Sequence, residues 1–300
     1  MQKSNPILSV IIPVYRGGFY ISYFFEAWSK QSASKDRIEL IIVDNNSEDN
    51  TYEILCSQRS RFPELSVLTY SEKQSSYAAR NAAVQASRAP FLLFTDIDCR
   101  PRPDWLATAL SYVCRSRPSE LVGGRVTLFP EADVYNPYEW FDRQSFLKTD
   151  QAAANKVAIT ANLLVARALY NQIGGFRELT SGSDIDFSHR AVAATGRFVY
   201  LSDMEVRHPA RSTFSEVRKK IDRVALGKSE QAKSGGDLKA IGIFAWKQCL
   251  ALLIQHLFWR DMLQTWPCSC FSCSWKVRYT WLSLRLWTRY RFKILLALRS

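Results

Sequence analysis

Residues 8–14 read Leu-Ser-Val-Ile-Ile-Pro-Val, and residues 38–47 read Ile-Glu-Leu-Ile-Ile-Val-Asp-Asn-Asn-Ser. Neither apolar run alternates with polar residues, as a strand with one wet face would. Each reads as a strand buried on both faces, Leu8–Val14 and Ile38–Val43, and Asp44-Asn45-Asn46-Ser47 stops the second abruptly. Four further apolar runs come later, at Leu65–Thr69, Phe91–Phe94, Leu121–Val126 and Lys156–Val165. Helical patterns separate the early ones, at Tyr20–Ser29, Asn50–Ser60, Tyr77–Ala86 and Pro103–Cys114, where Pro103 and Asp104 suit a first helical turn. Strands alternating with helices predict an α/β fold, a mostly parallel central sheet flanked by helices.

In such sheets ligands bind beyond the carboxyl ends of the strands. Two of these ends carry carboxylates, Asp44 and the pair Asp96-Ile97-Asp98 that comes after Phe94-Thr95. Carboxylates two residues apart in an extended chain point to the same side. Their oxygens suit a hard divalent cation. A polar turn in which Asp caps the next helix is the alternative, and Asp44 equally suits an Asx turn. Ser183-Asp184-Ile185-Asp186-Phe187 comes after Gly182 and opens a helical run carrying His189 and Arg190. A carboxylate there can simply face the helix dipole. His208, before Pro209, is one of three histidines and reads as structural unless it lies near the Asp cluster. Arg80 on the helix from Tyr77 is either a surface residue or a nucleotide contact.

The chain has 300 residues, 47% of them apolar, enough for a sizeable core. Its formal net charge of +12 is unevenly placed. Residues 1–210 hold 23 basic and 23 acidic side chains, whereas residues 211–300 hold 17 and 5. Six of the nine tryptophans fall in that last stretch. A nucleic-acid binder would carry its charge in the binding domain, so this distribution argues against one. The start lacks the pattern of a secretory signal, and seven cysteines suit a reducing, cytoplasmic compartment.

Taken in order, these pieces resemble the family 2 glycosyltransferases of the GT-A fold. The resemblance rests on Ser9-Val10-Ile11-Ile12-Pro13-Val14-Tyr15, Ile41-Ile42-Val43-Asp44-Asn45-Asn46-Ser47, Tyr77-Ala78-Ala79-Arg80-Asn81 and Phe94-Thr95-Asp96-Ile97-Asp98. Pro103-Asp104-Trp105-Leu106, Ala161-Asn162-Leu163, Ile173-Gly174-Gly175-Phe176 and Asp184-Ile185-Asp186-Phe187-Ser188-His189-Arg190 complete it. It covers about residues 7–210. It implies a nucleotide-diphospho-sugar donor, a UDP- or GDP-sugar, and inverting transfer to an acceptor hydroxyl. It places Pro13 and Tyr15 by the base, Asp44 and Arg80 in the nucleotide pocket and Asp96 near the ribose. Asp98 would hold Mg²⁺ or Mn²⁺, His208 matches a late histidine that contacts metal or diphosphate in some members, and Asp184 matches the catalytic base. Asp186 and Arg190 match supporting residues. The chain departs from the pattern at Arg16, where Asn is frequent, and at Ser183, where Glu is common. The second departure leaves both Asp184 and Asp186 as candidate bases, with Asp184 favoured. No Gln-x-x-Arg-Trp signature of processive synthases is present.

The predicted division is a catalytic domain over 1–210 and a helical, basic, Trp-rich extension over 211–300. Basic residues interleaved with Trp and Leu suit an anionic membrane surface. Residues 241–259 are apolar but carry Lys247, Gln248, Gln255 and His256, which favours lying on a membrane over spanning it. From Val277 to Leu286 the alternation is nearer period two than helical. The expected place is cytoplasmic, peripheral on the inner face of the cell membrane. The expected acceptor is a glycan or lipid-linked molecule of cell-envelope, surface-polysaccharide or glycolipid synthesis, engaged by residues 135–162. Two other readings compete. A sugar nucleotidyltransferase needs an early Gly-rich phosphate loop, and only Arg16-Gly17-Gly18 comes near. A non-catalytic protein on the same scaffold would use the tail to bind a membrane or nucleic acid.

Overall fold

The computed structural model describes residues 5–115, 120–234 and 273–299. In chain order the elements are β1 (Leu8–Val14), α1 (Gly18–Ser29), β2 (Ile38–Asp44), α2 (Thr51–Ser57), β3 (Leu65–Thr69), α3 (Ser76–Ala86), β4 (Phe91–Phe94) and β5 (Arg100–Pro101). Then come α4 (Trp105–Arg115), β6 (Leu121–Phe129), α5 (Pro137–Ser145), α6 (Thr149–Ala154), β7 (Leu163–Ala166), α7 (Arg167–Gln172), α8 (Ser183–Thr195), β8 (Phe198–Pro209), α9 (Phe214–Ser234) and α10 (Cys273–Arg299). Short 3₁₀ turns cover Gln58–Ser60 and Thr160–Asn162. The chain forms two compact units. One comprises residues 1–129, 147–178 and 183–209, and the other residues 130–146, 179–182 and 210 onward.

The first unit is an eight-stranded sheet of order β3-β2-β1-β4-β7-β6-β8-β5. The pairs β1–β2, β1–β4, β2–β3 and β6–β8 are parallel, while β7 and β5 run against their neighbours. All seven residues of β1 and of β2 are buried. The two-residue side-chain period divides them between faces. Val10, Ile12, Leu40 and Ile42 pack with Phe24 and Trp28 of α1 and Trp105 of α4. Ile11, Ile41 and Val43 pack with Ala79 and Ala83 of α3 and Phe187 of α8. This sandwiched sheet is the expected α/β, GT-A-type architecture.

Two polar residues interrupt the β1 and β2 runs and satisfy each other. Ser9 Oγ donates to Glu39 Oε1 at 2.5 Å, which also accepts the N–H groups of Arg88 and Ala89 at 2.5 and 2.9 Å. Burial alone would raise the Glu39 carboxyl. These hydrogen bonds outweigh it and hold the group below its ordinary value. Pro13 lies past the last β1–β4 pair, Ile11↔Phe94. Ile11 faces β4 and Val14 faces β2 through their carbonyls, so the missing N–H of Pro13 falls where β4 has ended.

Two local expectations are corrected. The strand expected over 156–165 is confined to Leu163–Ala166. Lys156 takes a left-handed φ of 55°, and Thr160–Asn162 turn, both of which break extended pairing. Asp96–Asp98 is also a turn, closed by Cys99 N–H on Asp96 O at 3.1 Å, and not an extension of β4. The extension is helical as expected, α10 running through 277–286 despite the period-two alternation there. Its signal is the stripe Leu282, Leu286, Tyr290 and Ile294, spaced four residues apart, whose first two members already fall inside the period-two window.

That stripe packs on Val217, Ile221 and Ala225 of α9 and on Phe141 of α5, forming the core of the second unit. Arg289 grips Asp222 with two hydrogen bonds of 2.8 Å, and Arg211 grips the fully buried Asp142. Among the described residues no helix is long and apolar enough to cross a membrane. Residues 241–259 lie outside the described residues.

Candidate active site

Three chain segments meet where β1, β2 and β3 end. After β1 the chain turns through Arg16 at φ 49° into Gly17, where a Cβ would lie 2.3 Å from Val14 Cγ2. Only glycine fits that approach. Gly17 and Gly18 donate their N–H groups to Thr51 Oγ1 at 3.0 Å, and Arg16 N–H donates to Ser47 Oγ at 2.8 Å. The turn after β2 is thus bound to the turn after β1. Asn45, buried, ties in the third segment. Its Nδ2 donates to Tyr70 O and Lys73 O at 2.9 and 2.8 Å, and its Oδ1 accepts Ser75 N–H at 2.8 Å. Asp44 ends β2 opposite Val14 and is buried. Its Oδ2 accepts Ser47 N–H at 3.2 Å, while its buried Oδ1 has no hydrogen-bond partner among the described residues. A buried carboxylate oxygen without a donor is costly, and a base N–H would satisfy it. Tyr15 is 45% exposed at the same turn.

Next along the sheet, α3 starts at a Ser75 cap that accepts Ala78 N–H and carries Arg80 inward. Arg80 is 3% exposed and pairs with Asp96 beyond β4. Asp98 lies two residues on. Its partner is His208, late in β8, whose Nε2 lies 3.4 Å from Asp98 Oδ2. His208 Nδ1 is 2.7 Å from the Pro209 carbonyl. A carbonyl only accepts, so Nδ1 carries the proton and Nε2 is turned to the carboxylate. A proton on Nε2 or a bound cation would each reconcile that nitrogen with the carboxylate.

The residues fit a metal. Asp96, Asp98 and His208 each offer one ligand atom, and these atoms lie within 4.8 Å of one another. Among the described residues the buried Oδ1 of Asp98 has no hydrogen-bond partner. Carboxylate oxygens with one imidazole suit Mg²⁺ or Mn²⁺, and the Nδ1–H···O=C bond is the usual support of a ligating histidine.

Asp184 and Asp186 share the first turn of α8 but not their partners. Asp186 accepts from Arg177 at 3.0 Å and from Arg190 at 2.9 Å. Arg190 also donates to the carbonyls of Ile173 and Gly175. Asp186 and Arg190 therefore brace the 173–177 loop. Asn81 of α3 holds the same loop through both backbone polar groups of Phe176. Among the described residues the Asp184 carboxylate accepts only Ile185 N–H, at 3.0 Å, and no lysine or arginine pairs with it.

The structure thus gathers Pro13, Tyr15 and Asp44 at one corner, and Arg80, Asp96, Asp98 and His208 at the next. Asp184, Asp186 and Arg190 stand at the head of α8. The sequence reading missed β8 as a strand. It also missed Asn45 and Thr51 as clamps, although Thr51 comes seven residues after the strand-ending Asp44 in a stretch rich in polar caps.

The profile of glycosyl transferase family 2 matches residues 9–174. A curated relative, glycosyltransferase AglE of Haloferax volcanii, is 34% identical over 229 residues, covering 76% of this chain and 74% of its own. The chain spans about half the length of several more distant curated relatives. Among solved structures, the mannosyltransferase PcManGT from Pyrobaculum calidifontis, in complex with GDP-Man and Mn²⁺, superposes with TM-score 0.62 at 16% identity, over 98% of this chain and 88% of that one. S. aureus TarS 1-349 in complex with UDP-GlcNAc gives TM-score 0.56 at 18% identity, over 95% and 90%. Those two show the shared fold. The profile match across more than half of the chain, with strand-end carboxylates at Asp44, Asp96 and Asp98, makes this protein a member of glycosyl transferase family 2.

Proposed function

We propose that the chain is a metal-assisted, inverting glycosyltransferase that moves a sugar from a nucleotide-diphospho-sugar to an acceptor hydroxyl. The observation that carries this reading is the meeting of Asp98 with His208, far apart in sequence, 3.4 Å apart in space and with a buried carboxylate oxygen left over. Pro13, Tyr15 and Asp44 bind the base, the free Oδ1 of Asp44 accepting a base N–H. Arg80 holds Asp96 for the ribose. Asp98 and His208, with Asp96 beside them, hold Mg²⁺ or Mn²⁺. A cation held there would supply the positive charge that the departing diphosphate needs. Asp184 takes the acceptor hydroxyl's proton as that oxygen attacks the anomeric carbon. Its lack of a cationic partner supports this role, and the two arginines on Asp186 support a bracing role there. Arg190 supports Asp186.

Solved proteins of this fold hold GDP-Man in one case and UDP-GlcNAc in another, so both donor classes belong in the test. A thermal-shift screen of UDP- and GDP-sugars, with Mn²⁺ and with EDTA, is expected to find one donor class that stabilises the protein only with metal. At a hundredfold excess over Kd the gain is about 2.7 kcal/mol. Stabilisation by none of them, or equally with EDTA, counts against the proposal.

Residues 1–210 carry this chemistry and residues 211–300 the attachment. The charge excess lies wholly after residue 210, and α10 exposes Phe292 and Leu296 one turn apart. The partner is an anionic membrane surface, on the cytoplasmic face of the cell membrane, where a glycan or lipid-linked acceptor of envelope, surface-polysaccharide or glycolipid synthesis is met. The full chain should sediment with anionic vesicles, detach as salt rises and ignore zwitterionic ones. Equal binding to both vesicle types would remove the electrostatic argument.

A further inference from the structure

We infer that Asn162 is a positioning residue for the metal site, holding its two halves in register without touching them. The inference rests on the reading of Asp98 and His208 as metal ligands. Asn162 is fully buried in the 3₁₀ turn before β7, and all three of its side-chain hydrogen bonds go to different elements. Its Oδ1 accepts the indole N–H of Trp105 at 3.0 Å. Its Nδ2 donates to Arg125 O of β6 at 2.9 Å and to Met204 O of β8 at 2.6 Å.

Those two carbonyls lie where the β6–β8 ladder breaks. Gly124 pairs with Leu201, but Arg125 pairs with Glu205, so residues 202–204 bulge out. A bulge leaves backbone groups without ladder partners, and one amide here serves a carbonyl from each strand. The close approach is built in. A Cβ on Gly124 would come within 2.3 Å of Asn162 Nδ2 and 2.5 Å of Met204 O.

The bulge fixes the register of the second half of β8. Leu128 comes to lie opposite His208, and Arg207 opposite Arg100 of β5, the strand that begins two residues after Asp98. A slip of one residue would turn His208 to the other face of the sheet. The same turn holds the acidic half. Thr95 Oγ1, fully buried and next to Asp96, donates to Ala161 O at 2.8 Å. Consecutive residues of one turn therefore grip the strand end that leads into Asp96 and Asp98, and the bulge that aims His208. Residues that orient metal ligands from outside the ligand set are worth about 10–100-fold in affinity.

The test uses full-length protein and Mn²⁺ alone, with free ion followed by electron paramagnetic resonance. Asn162→Leu keeps the volume and removes the donors; Thr95→Val is isosteric and removes the other grip. Glu39→Gln, at the opposite end of the sheet, is the control for lost stability. Circular dichroism shows which variants are folded. Asn162→Leu and Thr95→Val are expected to weaken Mn²⁺ binding about 10–100-fold. Glu39→Gln should lower the melting temperature and leave Mn²⁺ affinity unchanged. If Asn162→Leu does not fold, Thr95→Val carries the test. Folded variants that bind Mn²⁺ as tightly as wild type would overturn this inference alone. A wild-type chain that holds no Mn²⁺ would overturn the metal reading and this inference with it.

Discussion

Asp184→Asn is expected to lower the rate of sugar transfer about 10²–10⁴-fold while leaving donor affinity and melting temperature close to wild type. The size is that of removing a general base, because the amide keeps the shape and hydrogen-bonding oxygen of the carboxylate but accepts no proton. Donor affinity should hold because the proposed base-binding and metal residues lie on other elements, after β1, β2, β4 and in β8. Stability should hold because Asp184 makes only a local bond to Ile185 N–H. Asp186→Asn separates the two candidates. That carboxylate bonds two arginines, one of which holds the carbonyls of Ile173 and Gly175, so its loss should show first as a lower melting temperature. Single-turnover rates and thermal unfolding of both variants decide the matter. A stable, inactive Asp186→Asn beside an active Asp184→Asn would exchange their roles.

The contrast between these two residues shows where the sequence is legible. In β1 and β2 no face is polar, so burial on both sides could be read directly, and with it the layered α/β fold. Asp44 and Asp96 stood out because apolar runs end at or just before them. The two carboxylates of α8 read alike, since their difference lies in Arg177 and Arg190, which only the folded 173–177 loop brings to Asp186. β8 was hidden for another reason. Its buried alternation, Met204, Val206 and His208, begins only at the end of the bulge, so the first half of the strand shows no clean period. Asn162 was visible as a motif residue without a task, because its partners Trp105, Arg125 and Met204 come from three separate elements. In α10 the buried four-residue spacing from Leu282 to Ile294 is interleaved with basic side chains, Arg285, Arg289, Arg291 and Lys293, which blur it in the sequence.

Asp98→Ala is expected to separate stability from function in opposite directions. With the metal chelated, the variant should melt at or above the wild-type temperature. The wild-type site sets Asp98 among Asp96 and His208 with a buried Oδ1 that has no hydrogen-bond partner, so truncation removes a desolvated, uncompensated oxygen. In Mn²⁺ the order should reverse. The wild type gains about 2.7 kcal/mol at a hundredfold excess over Kd, and the variant gains nothing. Transfer should fall roughly 10³-fold, the scale on which loss of a transition-state charge partner is felt. His208→Gln should repeat the pattern more weakly, since one carboxylate pair remains. Melting curves with Mn²⁺ and with EDTA, read beside the rate of nucleotide release, check all three statements. A variant that loses activity but still gains stability from Mn²⁺ would move the metal away from Asp98. One that is destabilised without metal would make the Asp98–His208 contact a structural ion pair. The three outcomes differ in sign, so one set of curves distinguishes a metal site from a buried salt bridge.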